Sequence, residues 1–264
     1  MLRMRELVLA GAVALGLAAP AMAAETLKPP AQSWSFEGLF GTYDRGALQR
    51  GYQVYKEVCA ACHAMSQIRF RDLGGGSGAA HSPLVGLGYT DDEVKAIAAE
   101  YKVMDGPNDD GEMFERTARP ADRFKAPFAN EKAARSANNG AYPVDLSLIV
   151  EARKHGADYI YALLTGYKEP PASVKLGEGM HYNAWFPGFQ IAMGAPLSDD
   201  RVTYGDGTKA TVSQMAKDVS IFLAWASEPN LEQRKALGIK VILFLVILAG
   251  LLYAAKRKVW ADIH

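Results

Sequence analysis

The sequence predicts a mainly α domain with long ordered loops, followed by one C-terminal transmembrane helix. Three observations carry this: capped amphipathic segments separated by Gly- and Pro-rich stretches, one Cys-x-x-Cys-His pentad, and a C-terminal apolar run closed by a basic cluster. Asp44 can cap a first helix that bears Leu48, Tyr52 and Tyr55 on one face and leads directly into Cys59. Thr90-Asp91-Asp92-Glu93 is a capping box, and Val94, Ile97, Ala98 and Tyr101 continue its apolar side. Asp145 starts a further predicted helix through Leu146, Ile149, Val150 and Arg153, stopped near Gly156. Another runs from Ala157 to Thr165 with Gly166 as its terminator. The clearest helix starts at a second capping box, Thr211-Val212-Ser213-Gln214, and ends before Pro229. Its stripe is Val212, Met215, Val219, Phe222, Leu223 and Ala226. Residues 73–88, 138–143 and 168–188 read as ordered loops.

The two ends assign the compartment. Arg3 and Arg5 precede an apolar run over 7–19, and Ala21-Met22-Ala23 supplies small residues for cleavage, so 1–23 reads as a cleaved secretory signal peptide. A retained anchor is the competing reading, weakened by the shortness of that run. Residues 236–255 are apolar except for Lys240 and rise about 30 Å as a helix, enough to cross a hydrocarbon core. Lys256-Arg257-Lys258 and Trp260 follow, so 256–264 reads as a short cytoplasmic tail. The expected location is the bacterial inner membrane, crossed once, with 24–235 forming a periplasmic domain of a size that one core supports. The formal net charge is zero, yet residues 24–230 hold 21 Lys and Arg against 26 Asp and Glu. That domain is mildly acidic, and no nucleic-acid partner is expected.

Cys59-Ala60-Ala61-Cys62-His63 contains both cysteines of the chain, and C-x-x-C-H is the attachment site of a c-type haem. On a helical turn the three side chains share a face, so both thiols can add to the haem vinyls while the imidazole reaches iron from the same side. A thioredoxin-like dithiol would want alternating strands and helices around the motif. Structural zinc would need more thiolates than the chain owns. One covalently attached haem c in a c-type cytochrome domain is the expectation.

The second axial ligand has several candidates. Of 9 methionines, three fall within 1–23. Met65 is too close to His63 to cross the ring, Met215 fits a core stripe, and Met113 sits in an acidic loop. Met193 lies in an apolar loop, 188–196, with Gly and Pro available to fix a non-helical approach to the iron. Met180 and Met104 come next, and His81, His155 or His181 would give a bis-imidazole site. Thioether ligation raises the reduction potential relative to imidazole, so a high-potential carrier predicts Met.

Over nearly the whole mature chain the sequence resembles the cytochrome c1 family, the haem subunit of the cytochrome bc1 complex. The carrying stretches are 45–56, 86–93, 105–114 and 133–141, then Leu163-Leu164-Thr165-Gly166-Tyr167 with Glu169-Pro170-Pro171. Tyr182-Asn183 through Phe186-Pro187-Gly188, and Met215-Ala216-Lys217-Asp218-Val219, complete the likeness. The resemblance implies His63 and Met193 as axial ligands and Cys59 and Cys62 as thioether attachments. It also implies Arg153 and Tyr159 near the haem propionates, a role suited to a bidentate guanidinium. Further implications are cytochrome b, a Rieske iron-sulfur protein and soluble cytochrome c as partners, within a dimeric complex embedded in membrane lipid. Electrons would run from quinol through the Rieske protein to this haem and out to cytochrome c, with no catalysis by the subunit alone.

The chain also departs from that family. Pro143-Val144 stands where many relatives have two prolines, and Glu151-Ala152-Arg153 where they have Arg-x-Arg. A cysteine pair that some bacterial relatives carry before the Met loop is missing, so another device must hold that loop. Asp105, Asp109, Asp110, Glu112 and Glu115 fall within eleven residues without a basic side chain, a patch that would steer a basic cytochrome c. A merely solvated loop is the plainer reading, and the spacing is not that of an EF-hand. Two other functions compete: a tethered cytochrome serving a terminal oxidase, and a haem-free periplasmic binding or assembly factor.

Overall fold

The computed structural model describes residues 27–75 and 86–262; the expected signal peptide and His81 lie outside them. Helices α1 (Arg45–Glu57), α2 (Asp91–Ala99), α3 (Glu131–Ala137), α4 (Gly156–Thr165), α5 (Val212–Ser227) and α6 (Leu231–Val259) dominate the architecture. Two short antiparallel hairpins interrupt them: β1 (Lys102–Asp105) with β2 (Phe114–Thr117), and β3 (His181–Tyr182) with β4 (Gln190–Ile191). The protein is thus mainly helical, with long loops and a C-terminal apolar helix.

The core forms where α1 crosses α5. Asp44 accepts a hydrogen bond from the Ala47 amide at 3.0 Å, which starts α1 and turns Leu48, Tyr52, Val54 and Tyr55 inward. Tyr52 and Tyr55 meet Phe222 with ring centroids 5.7 Å apart, and Phe124 lies against both tyrosines. Gly51 permits the close crossing, because a Cβ there would stand 2.1 Å from the Asp218 carbonyl oxygen and 2.7 Å from Phe222 Cβ. Beside it, Arg50 grips buried Asp218 through Nε at 3.0 Å and Nη2 at 3.2 Å, and reaches Asp206 at 2.7 Å. Gln214 Nε2 donates to Asp218 at 3.0 Å, so the carboxylate is fully engaged, as burial of a charge demands.

Thr90 and Glu93 form the expected reciprocal capping box of α2. Thr211 caps α5 by accepting from the Gln214 amide at 3.1 Å, but its box is only half made. The Gln214 side chain is drawn to Asp218, the Thr211 amide bonds Lys209 O at 3.0 Å instead, and Asp199 takes the orphan Val212 amide at 2.8 Å.

The helix expected from Asp145 does not form; 147–155 is a run of turns. Its backbone is laced to the chain just beyond the pentad. The Asp145 carboxylate accepts from the Ser66 and Ser147 amides at 2.9 and 2.8 Å, Leu146 N–H donates to Ala64 O at 2.9 Å, and Gln67 N–H donates to Ser147 Oγ at 3.0 Å. These bonds compete with the helical ladder, as Asp and Ser side chains commonly do. His155, at φ 71°, closes the turn and precedes α4. Gly166 ends α4 as expected, although its φ of −92° is not left-handed. The need for glycine is steric: a Cβ would sit 2.5 Å from Trp185 Cδ1.

Helix α6 is unbroken for 29 residues, roughly 44 Å at the helical rise, and so contains the expected span 236–255 without a joint at its start. Leu231 is buried, and Glu232 accepts from Arg45 and from the Tyr43 amide, both at 2.8 Å. Beyond Ala236 the helix is exposed, with a mean hydropathy of 2.5 over its most apolar window. Exposed apolar surface on this scale matches lipid, and the basic last turn marks the end of the span.

Gly51→Ala should destabilise the domain by about 1–3 kcal/mol through overpacking at the α1–α5 crossing, lowering the midpoint of thermal unfolding followed by circular dichroism.

Candidate functional site

The C-terminus of α1 runs straight into the pentad. Val58 N–H still bonds Val54 O at 3.0 Å, after which Cys59–Ala61 tightens into a 3₁₀ turn. Cys62 and His63 amides both donate to Cys59 O, at 3.1 and 2.9 Å. The turn therefore gathers Cys59, Cys62 and His63 on the wall of one cavity of about 600 Å³. Met193 and its neighbours Ala192, Gly194 and Pro196 line the same cavity from the loop after β4. Ile160, Leu163 and Leu164 of α4, with Val219 and Leu223 of α5, give it apolar walls. Arg153 and Tyr159 complete the lining, so all six side chains expected to hold a cofactor face one space.

His63 Nδ1 lies 2.7 Å from the Val144 carbonyl oxygen. A carbonyl only accepts, so Nδ1 carries the proton and Nε2 keeps its lone pair for a metal. Burial lowers the imidazole's pKa below its ordinary value, against the opposing pull of this hydrogen bond and of Asp145. The neutral, ligating form is favoured. Val144 acts here through its backbone carbonyl, so its side chain plays no part in this contact. Burial, with Cys62 adding to it, pushes the Cys59 thiol up to about 12. Such a thiol is a poor thiolate source for disulfide exchange.

Arg153 is exposed at the rim and donates to Ala152 O at 3.1 Å. Burial raises the Tyr159 phenol above its ordinary value and Arg153 opposes it, which keeps the hydroxyl a neutral donor beside a cation.

The Met193 loop is held by hydrogen bonds. Tyr167 OH donates to Met193 O at 3.0 Å. Asn183, fully buried, is the hub beneath it: Nδ2 donates to Leu163 O at 2.8 Å, Oδ1 accepts from the Trp185 and Phe186 amides at 3.0 and 3.3 Å, and its own amide bonds Phe189 O at 3.1 Å. The β3–β4 pairing, His181 with Ile191 and Tyr182 with Gln190, brings the chain back toward the cavity. This polar lattice is a device that holds the loop by hydrogen bonds. Neither Tyr167 nor Asn183 carried a sequence signal of this role, since their partners are backbone groups.

Among the described residues, the other ligand candidates lie elsewhere. Met104 and Met113 are exposed, Met65 and Met215 are in the core, and Met180 does not line the cavity. His181 borders a separate shallow pocket with Tyr167 and Lys168, and His155 caps α4. The acidic stretch forms the β1–β2 hairpin. Arg116 on β2 pairs with Asp105 and with Asp122, holding the Asp105 carboxyl below its usual range. Asp109, Asp110, Glu112 and Glu115 remain exposed at the hairpin end.

Comparison with known proteins identifies the family. The chain is 51% identical to a cytochrome b/c1 of Bradyrhizobium diazoefficiens over 98% of its own length, which is 39% of that longer protein. It is 50% identical to a mitochondrial cytochrome c1 heme protein of Arabidopsis thaliana, covering 96% of this chain and 81% of the relative. Against cytochrome c1 of Rhodospirillum rubrum the identity is 45%, over 88% and 87% of the two chains. Residues 34–263, from the buried Trp34 through the pentad, the Met193 loop and α6, match the model of the Cytochrome C1 family, and with half of the sequence shared with several of its members the chain belongs to that family.

Proposed function

We propose that the chain is the haem-bearing electron-transfer subunit of a quinol–cytochrome c oxidoreductase, a bc1-type complex, taking electrons from a Rieske iron-sulfur protein and passing them to soluble cytochrome c. One observation carries the reading: a single apolar cavity gathers Cys59, Cys62, His63, Met193, Arg153 and Tyr159. A covalently attached haem c suits it, since the cavity offers two thiols, an imidazole with Nε2 available, a thioether and a cationic rim. When bound, the haem iron supplies reversible one-electron transfer.

Each residue has a defined task. Cys59 and Cys62 would tether the haem, His63 and Met193 would ligate its iron, and Arg153 with Tyr159 would hold its propionates. Leu163, Leu164, Val219 and Leu223 line the cavity with apolar groups that would keep water from a bound haem. The exposed rim, including Cys62, Tyr142 and Arg153, leaves an edge for partners to approach. Cytochrome b, in a dimeric complex, is the partner proposed at the membrane, with α6 crossing the bacterial inner membrane once, the domain in the periplasm and the tail in the cytoplasm. The subunit alone catalyses nothing; the activity belongs to the complex.

A covalent haem adduct in the mass of the mature chain, and co-purification with cytochrome b and a Rieske protein, test the proposal; a colourless protein with two alkylatable thiols would refute it. Met193→Leu should keep the haem attached while the potential falls by a few tenths of a volt, within the roughly 0.8 V that axial ligands span, as read by redox titration. Tyr167→Phe removes one hydrogen bond worth about 1 kcal/mol, so the thioether ligand should exchange more readily with carbon monoxide, with the haem still attached. Neutralising Asp109, Asp110, Glu112 and Glu115 should slow low-salt association with a basic cytochrome c by about tenfold, measured by stopped flow, and the difference should vanish at high salt.

A further inference from the structure

The segment just before α1 makes a small closed loop. Thr42 N–H bonds Ser35 O at 3.0 Å, Glu37 N–H bonds Trp34 O at 3.2 Å, and Gly41 N–H bonds Gly38 O at 3.4 Å. Its base is rigid: Trp34 stacks on Phe36 at 5.8 Å, and Phe36 leans on Tyr43 at 5.2 Å. Two glycines shape its tip, Gly38 with φ 72° and Gly41, where a Cβ would meet Glu37 O at 1.9 Å. The side chains presented there are apolar. Leu39 is 61% exposed and Phe40 78% exposed, the latter the most exposed large apolar side chain among the described residues.

The contacts of this segment run from the end of α5 into the first turns of α6. Tyr43 OH donates to the carbonyls of Ala224 and Glu228, both at 3.2 Å, and the Tyr43 amide donates to Glu232. Lys235 Nζ then donates to Gly41 O at 3.3 Å and to Phe36 O at 2.6 Å. Moving from Tyr43 to Gly41 thus advances along the chain toward Ala236, where the apolar span begins, and Phe36 and Gly41, which flank the tip, both meet Lys235. With α6 crossing the bilayer, exposed Leu and Phe side chains on a loop tied to Lys235, next to the start of the span, would fall near the headgroup–acyl boundary. Exposed Glu37, and Lys235, supply polar groups suited to the headgroups.

We infer that the 36–41 loop is a second membrane contact, its Leu39 and Phe40 side chains inserted into the interfacial layer of the lipid bilayer beside α6. The inference rests on α6 as the membrane span. With two points of attachment, the helix and the loop, the domain is held at a set tilt over the bilayer.

The test is photo-crosslinking in intact membranes, using the full chain with Phe40→p-benzoylphenylalanine and, as control, Phe244→p-benzoylphenylalanine within the span. Retained haem absorbance reports that the domain is folded. Phospholipid adducts at position 40, in yield on the order of those at 244, are expected. Adducts to polypeptide alone, or none, at position 40 while position 244 labels lipid would overturn the inference and leave the span intact. Absence of lipid adducts at both positions would overturn the span together with the loop.

Discussion

Two helices that meet at Gly51 set the position of everything chemical in this protein. The missing side chain lets α1 press onto the backbone of α5 at Asp218, and the Arg50–Asp218 pair then fixes rotation about the contact. Because α1 runs without interruption into Cys59, that rotation determines where the two thiols and the imidazole of the pentad point. Because α5 supplies Val219 and Leu223, the same contact places a wall of the cavity they face. A buried pair of this kind contributes little net stability over an apolar one, yet it admits few alternative registers.

Backbone groups finish what the side chains begin. The Val144 carbonyl orients His63, and the lacing of 64–67 to 145–147 keeps that carbonyl in place. This is also where sequence reading erred. Asp145, followed by Leu146, Ile149 and Val150, has the pattern of a capped amphipathic helix, and those apolar residues are indeed buried. Asp145, however, spends its oxygens on two amides, one of them 79 residues away, a long-range choice invisible to a local pattern. The half-made box at Thr211 has a local cause, since Gln214 finds a buried carboxylate, Asp218, one turn further along its own helix.

The legible features were those whose chemistry resides in side-chain identity at fixed spacing: the pentad, the capped helices α1, α2 and α5, and the apolar run of α6. The cavity that brings Met193, Arg153 and Tyr159 to the pentad was expected from family likeness rather than from spacing. Periodicity could not separate Met193 from Met180 and Met104, whereas the cavity lining does. Tyr167 and Asn183 stayed hidden because they hold the Met193 loop through main-chain atoms. The β1–β2 hairpin read as a loop because its four-residue strands lack an apolar alternation.

The continuity of α6 with the domain has a mechanical consequence. A tether that entered the bilayer through a supple linker would let the head swing and sample many distances from the lipid. Here Leu231, Glu232 and Lys235 weld the first turns of the helix to the head, and no glycine or proline interrupts 231–237. The head is a fixed post, not a pendulum. Any journey that charge carriers must make between the bilayer and this cavity is therefore left to other bodies, and the post offers them a stationary berth.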